Sequence, residues 1–143
     1  MKKSIVTGGA GFIGSHLVDK LLSLDHEVIV IDNESSDGHD EYYWNKYSQN
    51  HKLDIRNFAD IAPLFRGVDY VYHLAAKASV QASVDNPLPT ISTQVIGTAN
   101  VLEAARLSGV EKFIYSSTSA CYGNRNPIPN VETMREDPLN PYA

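Results

Sequence analysis

Short apolar runs alternate along this chain with segments whose apolar residues recur at helical spacing. Residues 2–7 are apolar and β-branched and are followed by glycine, which predicts a buried strand. From Phe12 to Leu24 the apolar residues follow a helical period, which predicts a helix. Residues 27–32 form a second continuous apolar run, typical of a strand that is buried on both faces. The chain therefore begins in the order strand, helix, strand.

The same alternation continues to about Tyr122. The pattern predicts strands at 51–55, 68–75 and 111–117, a short helix at 57–65, and a long helix from Pro87 to about Ser108 that Gly109 ends. Residues 33–50 are predicted to be a loop that could include one short helix, and the segment after Tyr122 is predicted to be a loop. Strands that alternate with helices pair in parallel through right-handed crossovers. We therefore predict an α/β fold: a doubly wound parallel (Rossmann) sheet of about five strands, in a single domain that covers residues 1–143.

Composition and charge narrow the classes of partner. The 143 residues include 17 acidic and 12 basic side chains, with a net charge of -5. A nucleic-acid surface needs clustered Lys and Arg, so we expect no nucleic-acid partner. No apolar stretch is long enough to cross a membrane. Cys121 is the single cysteine, and a chain without a disulfide fits the reducing cytoplasm. The histidines lack ligand spacing, so we expect no metal site.

Three glycines at fixed spacing stand between the first strand and the first helix. Gly8, Gly11 and Gly14 form a GxxGxxG pattern in the segment TGGAGFIG. One glycine permits a sharp turn, another lets the backbone approach a diphosphate, and the third lets helix and strand pack closely. The N–H groups at the start of the helix would face that anion. The pattern predicts a dinucleotide-binding turn.

An acidic residue at the end of the second strand strengthens this interpretation. Asp32 follows the last glycine of the pattern at the spacing at which a carboxylate binds the ribose hydroxyls of an adenosine. A carboxylate there also repels a 2′-phosphate. No arginine directly follows the glycines or Asp32. The sequence therefore favours NAD over NADP.

An aromatic cluster lies in the loop after the second strand. It consists of Tyr42, Tyr43, Trp44 and Tyr47. These rings could stack on a ligand, but packing on the domain as a hydrophobic lid is the interpretation we favour. His73, at the end of a predicted strand, is expected to be structural.

Six segments occur in the order and spacing of one family: TGGAGFIGSHL, VIDN, HLAAKASV, GTANVLEAAR, YSSTSACYG and NPYA. In these segments the chain resembles the extended short-chain dehydrogenase/reductase family, in its NAD-dependent, UDP-glucose 4-epimerase-like branch of nucleotide-sugar epimerases and dehydratases. The resemblance covers essentially the whole chain. It implies that the chain is the N-terminal, NAD-binding portion of such an enzyme.

The resemblance also implies positions for the cofactor. The amides of Phe12 and Ile13 would hold the diphosphate, Asp32 and Asn33 the adenosine ribose, Asp54 and Ile55 the adenine, and Leu74, Ala75, Ala76 and Lys77 the nicotinamide side. Gln94 stands where the family usually has an asparagine near the cofactor, which is a departure from the pattern.

For catalysis, the resemblance implies Thr118 as the hydroxyl that positions the substrate and Tyr142 as the base. A tyrosine with its ordinary pKa is a poor base at neutral pH, and the family supplies a lysine four residues later on the same helix face. That lysine would stand at position 146, beyond Ala143. We therefore expect Tyr142 to be frayed and the chain alone to be inactive on a nucleotide sugar. Two alternatives stay open: a non-catalytic dinucleotide-binding or interaction module, and a half-enzyme that another polypeptide completes.

The long helix carries an apolar stripe made of Ile91, Val95, Ala99 and Leu102. A second set of residues, which includes Val101 and Ala105, can face the sheet. We expect the stripe and the edge of the fifth strand to be open, and the chain to form a homo-oligomer through the 90–108 helix or that edge.

Overall fold

A computed structural model describes residues 1–36, 38 and 40–143 of the chain. The strands are β1 (Lys3–Thr7), β2 (Glu27–Asp32), β3 (Gln49–Lys52), β4 (Tyr70–His73) and β5 (Lys112–Tyr115). The helices are α1 (Phe12–Ser23), α2 (Phe58–Ile61), α3 (Val80–Asp85), α4 (Pro87–Ile91) and α5 (Thr98–Leu107). A π-helical segment, Ser92–Gly97, joins α4 to α5, and 3-10 turns cover Ala62–Phe65 and Ser119–Tyr122.

The five strands form one parallel sheet in the order β3-β2-β1-β4-β5. The chain winds from β1 outward to β3, crosses back to β4 beside β1, and continues to β5. This reversal next to β1 is the switch point at which open α/β sheets bind ligands. The predicted fold class, a doubly wound parallel sheet of five strands, is confirmed.

Alternate residues of the central strands bury the two faces of the sheet. Val6 and Val30 pack under α1 with Val18 and Leu21. On the other face a larger cluster joins strand residues to α2 and α5: Ile5, Ile29, Ile31, Ile55, Ile61, Phe65, Val68, Val71, Val101, Ala104 and Ala105. The runs in β1 and β2 are continuously apolar because both faces of these strands are covered.

The third strand does not lie where the sequence places it. We predict residues 51–55, but β3 covers Gln49–Lys52 and pairs along β2 from Ile29 to Asp32. Its residues are polar because it is an edge strand, so it lacks the apolar pattern of the central strands. Ile55, which suggested a strand, instead follows β3 and packs into the core.

The long helix is confirmed over Pro87–Leu107, but it contains the π-helical segment that the sequence does not predict. Gly109 follows it with a φ of +69°, as its helix-ending role requires. Helix α3 is a helix that we did not predict. Its signal was Ser79, whose Oγ accepts a hydrogen bond from the N–H of Ala82 at 3.1 Å and caps the helix.

Candidate functional site

The glycine turn between β1 and α1 is as tight as its spacing suggests. Gly8 has a φ of +70°, and a Cβ there would lie 2.8 Å from the backbone nitrogen of Ala75. At Gly14 a Cβ would lie 2.1 Å from the carbonyl oxygen of Gly8. Contacts below 3 Å leave no room for a side chain, so the turn and the first turn of α1 can approach each other only with glycine at both positions.

The first backbone N–H groups of α1 are not capped by a side chain of the described residues. Gly11 occupies the N-cap position, and within the described residues no side chain accepts a hydrogen bond there. The next two residues, Phe12 and Ile13, are exposed and line a cleft at the carboxyl ends of the strands. An uncapped helix N-terminus carries partial positive charge and binds anions.

Asp32 connects the end of β2 to the glycine turn. Its Oδ2 accepts a hydrogen bond from the N–H of Ala10 at 3.1 Å, and its Oδ1 accepts one from the N–H of Glu34 at 2.8 Å. The carboxylate is half-buried and lines the cleft. These two bonds fix the acidic group beside the N-terminus of α1.

Asp54 ties the end of β3 to the end of β2. It pairs with Arg56 at 2.6 Å and accepts a hydrogen bond from Nδ2 of Asn33 at 3.1 Å. The hydrogen bonds from the Arg56 side chain lower the pKa of Asp54 to about 2, although partial burial opposes the shift. Asp54 is therefore ionised at neutral pH and holds Asn33 at the edge of the cleft.

The cleft has a volume of about 360 Å³, in the range of small-molecule sites. Its wall includes these predicted cofactor residues: Gly8, Gly11, Phe12, Ile13, Gly14, Asp32, Asn33, Ile55, Leu74, Ala75, Ala76 and Lys77. Of the predicted set, all of which the structure describes, Asp54 and Gln94 do not line it. Both contact residues that do, because Asp54 bonds Asn33 and Gln94 bonds Lys77.

Sequence reasoning missed several residues of this wall. They are Ile31, Ser35, Ser36, Gly38, Tyr42, Leu53, Ala78, Thr93 and Ser116. Ser116 directly follows β5, and Ser35 closely follows β2, so the rule that ligands bind at the carboxyl ends of parallel strands could have found them. Thr93 has no such signal, because its place in the wall depends on the path of the π-helical segment.

Gln94 holds the backbone of Lys77 at two points. Its Oε1 accepts a hydrogen bond from the N–H of Lys77 at 3.2 Å, and its Nε2 donates one to the carbonyl oxygen of Lys77 at 2.9 Å. The ammonium group of Lys77 in turn donates to the carbonyl oxygen of Ser35. Both Lys77 and Ser35 line the cleft.

The two predicted catalytic residues lie apart from the described wall of the cleft. Oγ1 of Thr118 accepts a hydrogen bond from the N–H of Ala120 at 3.1 Å and caps the 3-10 turn that follows. Tyr142 is half-buried, and its N–H donates to Oγ of the buried Ser83 at 3.2 Å. The expectation that Tyr142 is frayed is therefore wrong, because this bond holds its backbone against α3.

The aromatic loop is partly a packed lid and partly exposed. Trp44 packs on the α1 side of the core, and its Nε1 donates to Oε1 of Glu34 at 2.8 Å. Tyr42 lines the cleft, and its hydroxyl accepts a hydrogen bond from the N–H of Ser36 at 2.9 Å. Tyr43 and Tyr47 are exposed. The lid interpretation holds for Trp44, while Tyr42 also forms part of the ligand cleft.

His73 is a buried structural residue, as predicted. Its Nδ1 lies 2.6 Å from Oγ1 of Thr7, and its Nε2 lies 2.9 Å from Oγ1 of Thr98. Burial lowers the pKa of His73 to about 4, so the ring is neutral at pH 7. Cys121 is half-buried.

Among residues 1–36, 38 and 40–143, no group of three or more His, Cys, Asp or Glu side chains is placed to hold a metal ion. No helix formed by them has the length and apolar character needed to span a membrane. His39, one of the five histidines, lies outside the described residues.

Residues 4–143 match the family described as the NAD dependent epimerase/dehydratase family. Among curated relatives, UDP-glucuronic acid decarboxylase 1 of Arabidopsis thaliana is 43% identical over 129 residues, which cover 90% of this chain and 29% of the relative. UDP-glucose 4-epimerase of Mycolicibacterium smegmatis is 39% identical over 147 residues, which cover 99% of this chain and 47% of the relative.

A solved structure of a nucleotide-sugar enzyme also matches this chain. UDP-glucose 4-epimerase of Thermotoga maritima, solved with UDP-glucose, superposes with a TM-score of 0.91 at 42% identity. The superposition covers 98% of this chain and 46% of the other chain. The chain thus spans less than half the length of each of these similar proteins.

Proposed function

The chain belongs to the NAD dependent epimerase/dehydratase family, and on that premise we propose that it is the N-terminal, NAD-binding portion of an enzyme that acts on a nucleotide sugar. One observation carries this proposal. The hydrogen bond from Ala10 to Asp32 sets the ribose-binding carboxylate and the glycine turn side by side in one cleft. A dinucleotide needs both groups at once, a diphosphate site and a ribose site, at the switch point of the sheet.

The residues present fit NAD. Gly8 and Gly14 let the turn pack closely against the residues after β4 and against the first turn of α1, and the N–H groups of Phe12 and Ile13 would bind the oxygens of the diphosphate. The carboxylate of Asp32 would accept hydrogen bonds from ribose hydroxyls and would repel a 2′-phosphate, which favours NAD over NADP. When bound, NAD supplies a hydride acceptor for the carbinol of a sugar.

Catalysis needs more than the cleft. We propose that Thr118 positions the substrate hydroxyl and that Tyr142 serves as the base in the complete active site, as the family resemblance implies. In this chain Oγ1 of Thr118 accepts a capping bond, the backbone N–H of Tyr142 donates to Ser83, and neither residue is part of the described cleft wall. We therefore expect a chain of this extent to bind NAD but to be inactive on a nucleotide sugar.

The names of the similar proteins, UDP-glucuronic acid decarboxylase 1 and UDP-glucose 4-epimerase, support a UDP-sugar as the substrate of the whole enzyme. Because an epimerase and a decarboxylase match about equally well, the reaction that follows the first oxidation is left at the level of nucleotide-sugar conversion. The single cysteine and the net charge of -5 favour a cytoplasmic protein without a nucleic-acid or membrane partner.

We also propose self-association through the long helix. The predicted stripe is exposed, with Ile91, Val95 and Leu102 at 43%, 58% and 46% exposure, while Val101 and Ala105 are buried against the sheet. An apolar stripe of this kind marks an interaction surface. Light scattering should show an apparent mass that rises with protein concentration. The mass should fall to that of the monomer for Val95→Asp but not for Val131→Asp, a matched change in an exposed loop. A monomer at every concentration would contradict the proposal.

Calorimetric titration of the chain with NAD and NADP tests the cofactor site. We expect NAD to bind and NADP to bind much more weakly. Asp32→Asn should weaken NAD binding by about tenfold or more, since a bond from a ribose hydroxyl to a charged acceptor is lost. Asp60→Asn, an exposed change on α2, is the matched control and should bind NAD as the unmodified chain does. Equal affinity of the Asp32→Asn variant would contradict the proposed site.

A further inference from the structure

We propose that Gln94 is a positioning residue for NAD binding, which fixes the backbone of Lys77 so that the lysine side chain spans the cleft above the glycine turn. This inference rests on the proposed function. It assigns to Gln94 a role through Lys77 rather than a contact of its own with the cofactor.

The first step is the pairing of the two residues. Gln94 uses its amide oxygen and its amide nitrogen on the N–H and the C=O of the same residue, Lys77. A side-chain amide bonded in this way acts like a neighbouring strand, because it satisfies both polar groups of one backbone unit. It therefore fixes both the position and the direction of the Lys77 backbone.

The second step is the path of the Lys77 side chain. Lys77 follows β4 in the chain, and Ser35 follows β2. In the sheet β1 lies between these two strands. Because the Lys77 ammonium group donates to the carbonyl oxygen of Ser35, its side chain passes over the carboxyl end of β1, where Gly8 begins the glycine turn. A cation held there faces the same space as the N–H groups that start α1, and a diphosphate carries the complementary negative charge.

The third step is how the helix presents Gln94. The segment Ser92–Gly97 is π-helical, a wide turn that often occurs at functional sites. Its last residue, Gly97, packs on Ile55, where a Cβ would lie 2.6 Å from Cδ1 of the isoleucine. Within this segment Thr93 lines the cleft and Gln94 reaches Lys77. The close contact at Gly97 thus anchors the turn that carries Gln94.

A double-mutant cycle separates an effect through Lys77 from a direct contact. The variants are Gln94→Met, which keeps the side-chain length and removes both hydrogen bonds, Lys77→Met, and the two together. We expect each single change to weaken NAD binding by about tenfold in calorimetric titration. In the Lys77→Met background, Gln94→Met should weaken binding by less than about twofold, because the group that Gln94 positions is gone. Gln81→Met, on the exposed surface of α3, should bind NAD as the unmodified chain does.

Salt dependence supplies a second readout. A cation near the diphosphate makes NAD binding weaker as salt concentration rises. We expect this dependence to be reduced to a similar degree in Gln94→Met and in Lys77→Met.

Other outcomes would overturn the inference. Additive effects of the two changes would show that Gln94 acts without Lys77. A loss of affinity accompanied by a lower melting temperature of the ligand-free Gln94→Met variant, with its salt dependence unchanged, would assign Gln94 a purely structural role. Normal NAD binding by Gln94→Met would overturn the inference alone. Failure of the unmodified chain to bind NAD would instead overturn the proposed function, and this inference with it.

Discussion

The β1–β2 side and the β5 side of the sheet differ in how completely they are covered. Strand β2 lies between β1 and β3, and its four central residues are buried. Within the part of the chain that the structure describes, strand β5 pairs with β4 alone, and Ile114 and Tyr115 are 38% and 53% exposed. The proposed diphosphate and ribose sites belong to the covered side, whereas Thr118 follows β5. The contrast indicates that the proposed NAD site lies where the packing of this chain is complete, and that the predicted catalytic Thr118 lies beside a strand that is partly exposed.

The strongest test of this contrast replaces one glycine on each side. Gly14→Ala should destabilise the fold by about 4 kcal/mol or more, because its Cβ would lie 2.1 Å from the Gly8 carbonyl oxygen and must push α1 away from the turn. Gly109→Ala, just before β5, meets no atom within 4 Å and has only the strain of a positive φ, which costs about 1 to 2 kcal/mol. Urea unfolding of both variants measures the difference. Equal losses of stability in the two variants would contradict the claim that the β1–β2 side is more tightly packed than the β5 side.

A second test uses the same substitution in two strands. Ile5 of β1 is fully buried, so Ile5→Ala should cost about 3 to 4 kcal/mol through lost burial and a residual cavity. Ile114 of β5 is partly exposed, so Ile114→Ala should cost less than about 1 kcal/mol. Chemical denaturation reports both values. A loss of stability for Ile114→Ala as large as that for Ile5→Ala would mean that the β5 side is covered in solution.

Strands β1 and β2 and the glycine turn between β1 and α1 are among the parts of the fold that the sequence predicts best. The apolar runs of β1 and β2 and the glycine spacing are local signals. Both faces of these strands are buried, and the turn has room only for glycine, so the residue types at these positions are restricted. Strand β3 was misplaced because an edge strand such as Gln49–Lys52 has no need of apolar residues. The same limit applies to Ser116, whose place in the cleft depends on strand order rather than on its neighbours in sequence.

The pairing of Gln94 with Lys77 shows where sequence reasoning ends. The two residues are 17 positions apart, and their contact depends on a π-helical turn that has no local signal. The resemblance to a family identified position 94 as notable, but it suggested a contact with the cofactor. Only the fold shows which atoms the amide of Gln94 binds.

His73 contacts residues on both sides of the sheet, and it should make the stability of the fold depend on pH. Its ring is bonded to Thr7 and Thr98 and lies 5.8 Å from the ring of Tyr115, between centroids. Because burial lowers its pKa from 6.5 to about 4, the unfolded chain binds a proton in this range while the folded chain does not. His73 should therefore leave stability unchanged above about pH 6.5 and reduce it by up to about 3 kcal/mol as the pH falls to about 4.

The measurement is urea unfolding at a series of pH values for the unmodified chain and for His73→Gln. Glutamine keeps hydrogen-bonding groups near the two threonines but does not titrate. The variant should be less stable at pH 7.5, since its packing is imperfect, and its stability should fall less steeply below pH 6.5. Parallel pH profiles of the two proteins would show that folding does not lower the pKa of His73.

The smallest expected effects lie at the two predicted catalytic residues. Thr118→Ala removes the cap of the Ser119–Tyr122 turn and should cost at most about 1 kcal/mol, since the turn is short. Tyr142→Phe keeps the backbone bond to Ser83 and should cost less. Neither change should alter NAD affinity by more than about twofold, which corresponds to about 0.4 kcal/mol of binding free energy. The reason is that neither side chain is part of the described cleft wall. Ser116→Ala, which does touch the cleft, is the matched reference and should weaken NAD binding more than either. If Thr118→Ala or Tyr142→Phe weakened NAD binding tenfold, cofactor binding would extend beyond Ser116 to the predicted catalytic residues, and the cleft and these residues could not be treated as separate units.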